Sequence, residues 1–130
     1  MLPAMRERRG YDRKEKPAAC PFCDQRIPRP APFVDMEVDC GGGRCACGAL
    51  FVVDVTGKQG GQVFLDGLTV LCDGDLDRGV SLQAKVDYEV VSLGYRPRTH
   101  SLESRLPGRG GFGTPKLWFF RLLAGTAEPP

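Results

Sequence analysis

The sequence predicts an α+β protein, and three observations predict it. Residues 49–55 form a short run rich in Val and Phe, with the length and composition of a buried strand. Apolar residues at Phe64, Leu68, Leu71 and Cys72, and again at Val86, Val90 and Leu93, fall at helical spacing. Residues 99–106 and 116–123 read as two strands on either side of a loop, 107–115, that holds four glycines.

The length of 130 residues suits one domain, and 42% hydrophobic with 26% charged residues excludes a collagen-like or wholly disordered chain. No apolar run approaches the ~20 residues that cross a bilayer, so no membrane partner is expected.

Taken in order, residues 1–16 are polar, charged and without periodicity, and are expected to be a disordered basic tail. Residues 17–123 are expected to form the single domain, and 124–130 a frayed end. Pro28, Pro30 and Pro32 forbid a helix and favour extended chain. Phe33, Met36 and Val38 suggest a short strand over 33–39, and Gly41, Gly42 and Gly43 a turn. The strand at 49–55 ends at Thr56-Gly57. A helix is predicted over 62–72; Gly67 weakens it, leaving a hairpin turning at Asp66-Gly67 as the alternative. A short helix or turn follows at 74–82, then a helix through Val86, Val90 and Leu93, then the C-terminal hairpin. The expected core is Val52, Val53, Phe64, Leu68, Val90, Trp118 and Phe120.

The net charge of +2 is unevenly spread: +3 over 1–16, +1 over 17–30, −6 over 31–93, +5 over 94–121 and −1 over 122–130. A basic end attracts phosphate or an acidic protein surface. The first sixteen residues lack the apolar stretch of a secretory signal, which predicts a cytoplasmic protein with reduced thiols. Paired cysteines are then metal ligands sooner than cross-links.

Four of the six cysteines form two tight pairs, Cys20/Cys23 and Cys45/Cys47. Zinc takes four soft ligands in a tetrahedron; with Zn–S near ~2.3 Å, neighbouring sulfurs lie roughly 3.8 Å apart. A C-x-x-C turn reaches that spacing by curling, and a C-x-C pair because residues i and i+2 of an extended chain point to one side. The 21 residues between Cys23 and Cys45 allow a strand out and back. Cys20, Cys23, Cys45 and Cys47 are therefore the predicted ligands of one structural zinc ion, a full thiolate shell leaving no position for water or substrate. Four thiolates also suit iron. A thioredoxin-like redox role finds little room, because the prolines after Cys23 leave space for about one helical turn.

Cys-Pro-Phe-Cys at 20–23 and Cys-Ala-Cys-Gly at 45–48 resemble the two knuckles of the zinc-ribbon superfamily. The second pair is C-x-C where that family usually has C-x-x-C, and Asp24 stands where a glycine often follows. The run 47–58, Thr99-His100 and the closing Lys-Leu-Trp-Phe-Phe-Arg-Leu at 116–122 also resemble a group of small bacterial zinc-ribbon proteins without an assigned activity. The resemblance implies a four-cysteine β-hairpin continuous with two or three helices and the C-terminal hairpin.

Cys40 sits five residues before Cys45, and His100 is the lone histidine; both remain open as substitute ligands. Cys72 lies on the apolar face of its helix. Gly108 to Gly113 matches G-x-G-x-x-G as a string, but Thr114-Pro115 and a strand follow where a dinucleotide site needs a helix. Asp73, Asp75 and Asp77 open like a calcium loop, yet Arg78 and Ala84 stand at the glycine and glutamate positions.

The sequence thus points to a small zinc-binding protein acting as a non-catalytic interaction module. Arg96, Arg98, Arg105, Arg109, Lys116 and Arg121, interleaved with Tyr95, Phe112 and Trp118, would meet nucleic acid or an acidic protein. The alternatives are an enzyme or accessory factor with a cleft site that holds His100 beside Asp87 or Cys40, and thiol redox or metal handling through Cys40 and Cys72.

Overall fold

The computed structural model describes residues 15–34, 36, 38–103 and 115–123. Its dominant feature is a curled antiparallel sheet, not a ribbon joined to a helical body. The strands are β1 (Glu15–Pro17), β2 (Ala31–Pro32), β3 (Gly41–Arg44), β4 (Leu50–Asp54), β5 (Tyr88–Arg96), β6 (Ser101–Glu103) and β7 (Lys116–Leu122). Their order is β1-β6-β5-β7-β4-β3-β2. Two short helices, α1 (Gly60–Leu71) and α2 (Leu76–Ser81), are the only ones among the described residues. The predicted α+β zinc-ribbon architecture with two or three helices is therefore overturned.

The central strands are apolar on both faces, and this explains the largest error. In β4, Leu50 and Val52 face a core on the helix side, while Phe51 and Val53 face a second core on the cysteine side. In β7, Trp118, Phe120 and Leu122 join the first core, Leu117 and Phe119 the second. The same division runs along β5, with Tyr88 and Val90 on one side and Leu93 and Tyr95 on the other. A strand buried on both faces loses its polar-apolar alternation. Val86, Val90 and Leu93 therefore matched helical spacing by coincidence, and the β-branched content of the segment was the truer signal.

The predicted C-terminal hairpin is also replaced. β6 pairs with β5, and β7 lies between β5 and β4, in register Val90↔Phe120 and Val52↔Trp118. A seven-residue strand with two apolar faces gains most in the sheet centre, where Phe51, Phe119 and Phe120 are fully buried. Residues 104–114, which take in the end of the predicted strand 99–106 and all of the predicted loop 107–115 except Pro115, lie outside the described residues, as do 1–14 and 124–130. β1 starts within the segment expected as a tail.

Between Pro32 and Gly41 no strand forms among the described residues; Phe33, Met36 and Val38 instead pack on the helix-side core. The glycines read as a turn form β3. There the chain presses on β4 so closely that a β-carbon on Gly42 would fall on the Phe51 carbonyl. α1 appears where predicted, and Gly67 has a packing role: a side chain there would overlap the Phe120 ring. Phe64 of α1 meets Phe120, Trp118 and Tyr88 at centroid separations of 5.7, 6.1 and 6.3 Å. α2 also lies where a short helix was predicted, capped by Asp75, whose carboxylate accepts from the Arg78 amide at 3.0 Å. Of the expected core, Val52, Leu68 and Phe120 are buried, while Val53, Phe64, Val90 and Trp118 are half-buried against it. No described helix is long and apolar enough to cross a membrane.

Candidate metal centre

The first cysteine pair sits on a tight hairpin. Cys20 donates its amide to the Gln25 carbonyl at 2.9 Å, Asp24 donates to the Cys20 carbonyl at 2.7 Å, and Ile27 to the Ala18 carbonyl at 3.2 Å. The curl places Asp24 in the left-handed region, at φ 68°. The second pair occupies the turn between β3 and β4, where Cys45 donates to Ala49 at 2.8 Å and Gly48 to Cys45 at 2.9 Å. Gly48 (φ 96°) holds the place there that Asp24 holds in the first hairpin.

These two turns bring four sulfurs together. The Sγ atoms of Cys20, Cys23, Cys45 and Cys47 all lie within 4.8 Å of one another. Cys20 to Cys47 spans 3.8 Å and Cys23 to Cys45 spans 3.4 Å, close to the edge of a tetrahedral thiolate shell. All six cysteines are free thiols.

The environment of the four differs with depth. Cys20 and Cys45 are buried in the cysteine-side core beside Ala18, Ile27, Ala49 and Phe51, whereas Cys47 is exposed at the rim. Burial pushes the Cys20 thiol up to about 12 and raises Cys45, while the Ala49 amide holds Cys47 below its ordinary value. Amides also face Cys20, including that of Phe22 at 3.4 Å, and such donors stabilise thiolates. A cation held by all four must displace the protons of the two inner thiols, which a divalent metal does by coordination.

His100 braces the first hairpin and is no part of the cluster. Its Nε2 lies 2.8 Å from the Ile27 carbonyl, which only accepts, so Nε2 carries the proton. Nδ1 then accepts from the Tyr95 hydroxyl at 2.8 Å, and the His100 carbonyl accepts from the Ala18 amide at 3.1 Å. Arg29 adds a bond from its Nη1 to the Pro97 carbonyl at 2.7 Å. The turn between β5 and β6 thus fastens the hairpin that carries Cys20 and Cys23.

Cys40 lies outside the cluster, near Asp66; burial first, then the Asp66 charge, pushes its thiol up to about 12. Cys72 caps the end of α1, half-buried, and burial raises it too. Asp87 accepts from the Gln83 amide at 2.8 Å. The structure therefore gives His100, Asp87 and Cys40 separate neighbours and assembles no acid-base group from them. The basic set is also divided. Arg121 bonds Glu89 at 2.6 Å and stacks on Phe22 at 4.5 Å; Tyr95 is buried; Arg105, Arg109 and Phe112 lie outside the described residues. The sequence placed Tyr95 in the basic patch and Asp66 at a possible turn, and neither position carries a motif that shows its role in the fold.

No family model matches this chain, and neither a curated protein nor a solved structure matches it. Its chemistry rests on its own geometry: a four-cysteine cluster able to hold a metal ion.

Proposed function

We propose that Cys20, Cys23, Cys45 and Cys47 hold one zinc ion in a structural role, and that the protein is a non-catalytic interaction module for nucleic acid. The convergence of four sulfurs at near-tetrahedral spacing carries the metal reading. Four protein ligands close the shell, so the ion supports shape and offers no site to substrate.

The partner reading rests on exposed cations beside this centre. Arg29 bonds the Pro97 carbonyl, Arg96 and Arg98 flank Pro97, and Arg26 lies on the adjoining hairpin. All four are exposed, and Arg96 shares Glu103 at 3.7 Å. Guanidinium groups fixed on two braced turns suit the spaced phosphates of a nucleic-acid backbone.

Metal analysis of the purified chain should give one zinc per molecule; none, or a substoichiometric redox metal, would refute the assignment. Binding to single- or double-stranded oligonucleotides should weaken steeply with salt, by roughly 0.7–0.9 logarithmic units per phosphate contacted for each tenfold rise in salt. Charge reversal at Arg29 and Arg98 should abolish it. No mobility shift at low salt with any oligonucleotide removes the nucleic-acid reading and leaves the metal reading standing.

A further inference from the structure

A hollow of about 340 Å³ has apolar walls that include Pro30, Pro32, Pro97, Val53 and Val55. Its volume lies at the small end of ligand sites. Val53 and Tyr95, which line it, pack into the cysteine-side core, so the hollow lies on the face of the sheet that carries the four sulfurs. Its shape is set before anything enters. Each pyrrolidine ring fixes its own backbone torsion. Pro32 is held in register with Gly41 of β3, and the Tyr95 hydroxyl is held by His100 at 2.8 Å. A preformed wall spares a ligand the entropy of ordering it.

Two side chains of opposite charge line the same hollow. Arg29 is exposed and anchored by its Nη1 on the Pro97 carbonyl at 2.7 Å. A guanidinium has five N–H donors, so that anchor leaves the cation able to hold a phosphate oxygen. Asp39 is exposed as well, and among the described residues no hydrogen bond or ion pair engages its carboxylate. An ionised carboxylate only accepts. Apolar walls, one cation and one acceptor together match a flat ring that has an anion attached and an N–H donor on its edge. A nucleotide with an exocyclic amine has that form. In a duplex the faces of a base are stacked and its edge is paired, so only a single strand can offer a base to the hollow.

We propose that this hollow takes one unpaired base of a single-stranded nucleic acid, with the neighbouring phosphate on Arg29 and the exocyclic amine donating to Asp39. The inference rests on the nucleic-acid reading above and narrows it in two ways. Single strands are preferred to duplexes, and cytosine, adenine or guanine to thymine or uracil, which carry no exocyclic amine.

The test uses the full, metal-loaded chain and DNA probes of about twelve nucleotides: a cytosine strand, a thymine strand, an abasic strand of the same charge and a mixed-sequence duplex. The cytosine strand should bind about ten-fold tighter than the abasic strand. The thymine strand should bind about five-fold more weakly than the cytosine strand. The duplex should also bind more weakly than the cytosine strand, despite its higher charge density. Amide resonances of Ala31, Val38 to Gly41, Val53 and Val55 should shift saturably with the cytosine strand. Asp39→Asn changes an exposed position and should bring the cytosine and thymine strands to equal affinity, both still tighter than the abasic strand. Arg29→Gln should weaken all the single strands together and lower the salt slope by about one phosphate contact. Equal binding of cytosine and abasic strands, a tighter duplex, an unchanged cytosine preference in Asp39→Asn, or shifts centred away from the hollow overturns the proposal. Salt-dependent binding that survives such a result leaves the nucleic-acid reading standing, whereas no binding of any probe at low salt removes both.

Discussion

At the residue scale, Asp24 shows how the first cysteine turn is built under a local penalty. At φ 68° a β-carbon crowds the following carbonyl, which costs an L-residue ~1–2 kcal/mol, less for aspartate, whose short side chain tolerates this region. Asp24→Gly should therefore raise stability by about 0.5 kcal/mol after the added chain entropy is counted, read as a higher denaturation midpoint; a lower midpoint would show that the carboxylate has a role of its own. Cys40 supplies a pH dependence. Its thiol holds its proton more tightly in the fold than in the unfolded chain, where the ordinary value is 9.0. Its contribution is thus complete below pH 9.0 and is lost as pH rises through about 12. Cys40→Ser should flatten the alkaline fall of a stability profile over that window; an unchanged profile would place the loss at other groups. The sequence flagged Cys40 as a spare thiol, but its neighbour Asp66 is 26 positions away and only folding brings them together.

At the element scale, α1 was legible because one face is apolar and the other is wet. β5 was not, because apolar side chains leave it in both directions. β3 was hidden for a different reason. Glycine signals a turn, and here it signals backbone pressed on backbone. Gly67 carries the same lesson within a helix. Alanine is favoured over glycine in an isolated helix by ~1 kcal/mol. Against that, a methyl at 67 would overlap the Phe120 ring, which is fully buried and cannot step aside. Gly67→Ala should therefore destabilise by about 1–3 kcal/mol, and Gly67→Ala combined with Phe120→Leu should recover part of that loss by opening room. A neutral or stabilising single substitution, measured by denaturant titration, would mean that α1 stands farther from the sheet.

At the scale of the whole molecule, the cysteine cluster joins two hairpins, and the proposed ion would clamp them. The sheet centre, β5-β7-β4, is joined by long registered ladders and does not need the clamp to pair. The hairpin over 18–27 is held by the His100 brace, by burial of Ala18 and Ile27, by the Arg121 guanidinium on Phe22 and by the four sulfurs. In small zinc peptides the metal is worth ~10–16 kcal/mol in apparent terms, as much as a whole domain's stability. Stripping the ion with a strong chelator should first accelerate amide exchange in 18–27 and 45–49, and only afterwards in β4 and β7. Uniform exchange before and after chelation would deny the metal any structural part.

The order of residues determined by itself the two thiol pairs, the apolar run that became β4 and the helical stripe of α1, because each is a matter of local spacing or local burial. Tertiary structure decided the rest. Which strand lies beside which depends on contacts between distant segments, and a strand buried on both sides leaves no periodic trace of where it sits. The same holds for the two concavities beside Cys40, whose walls come from separate stretches of chain.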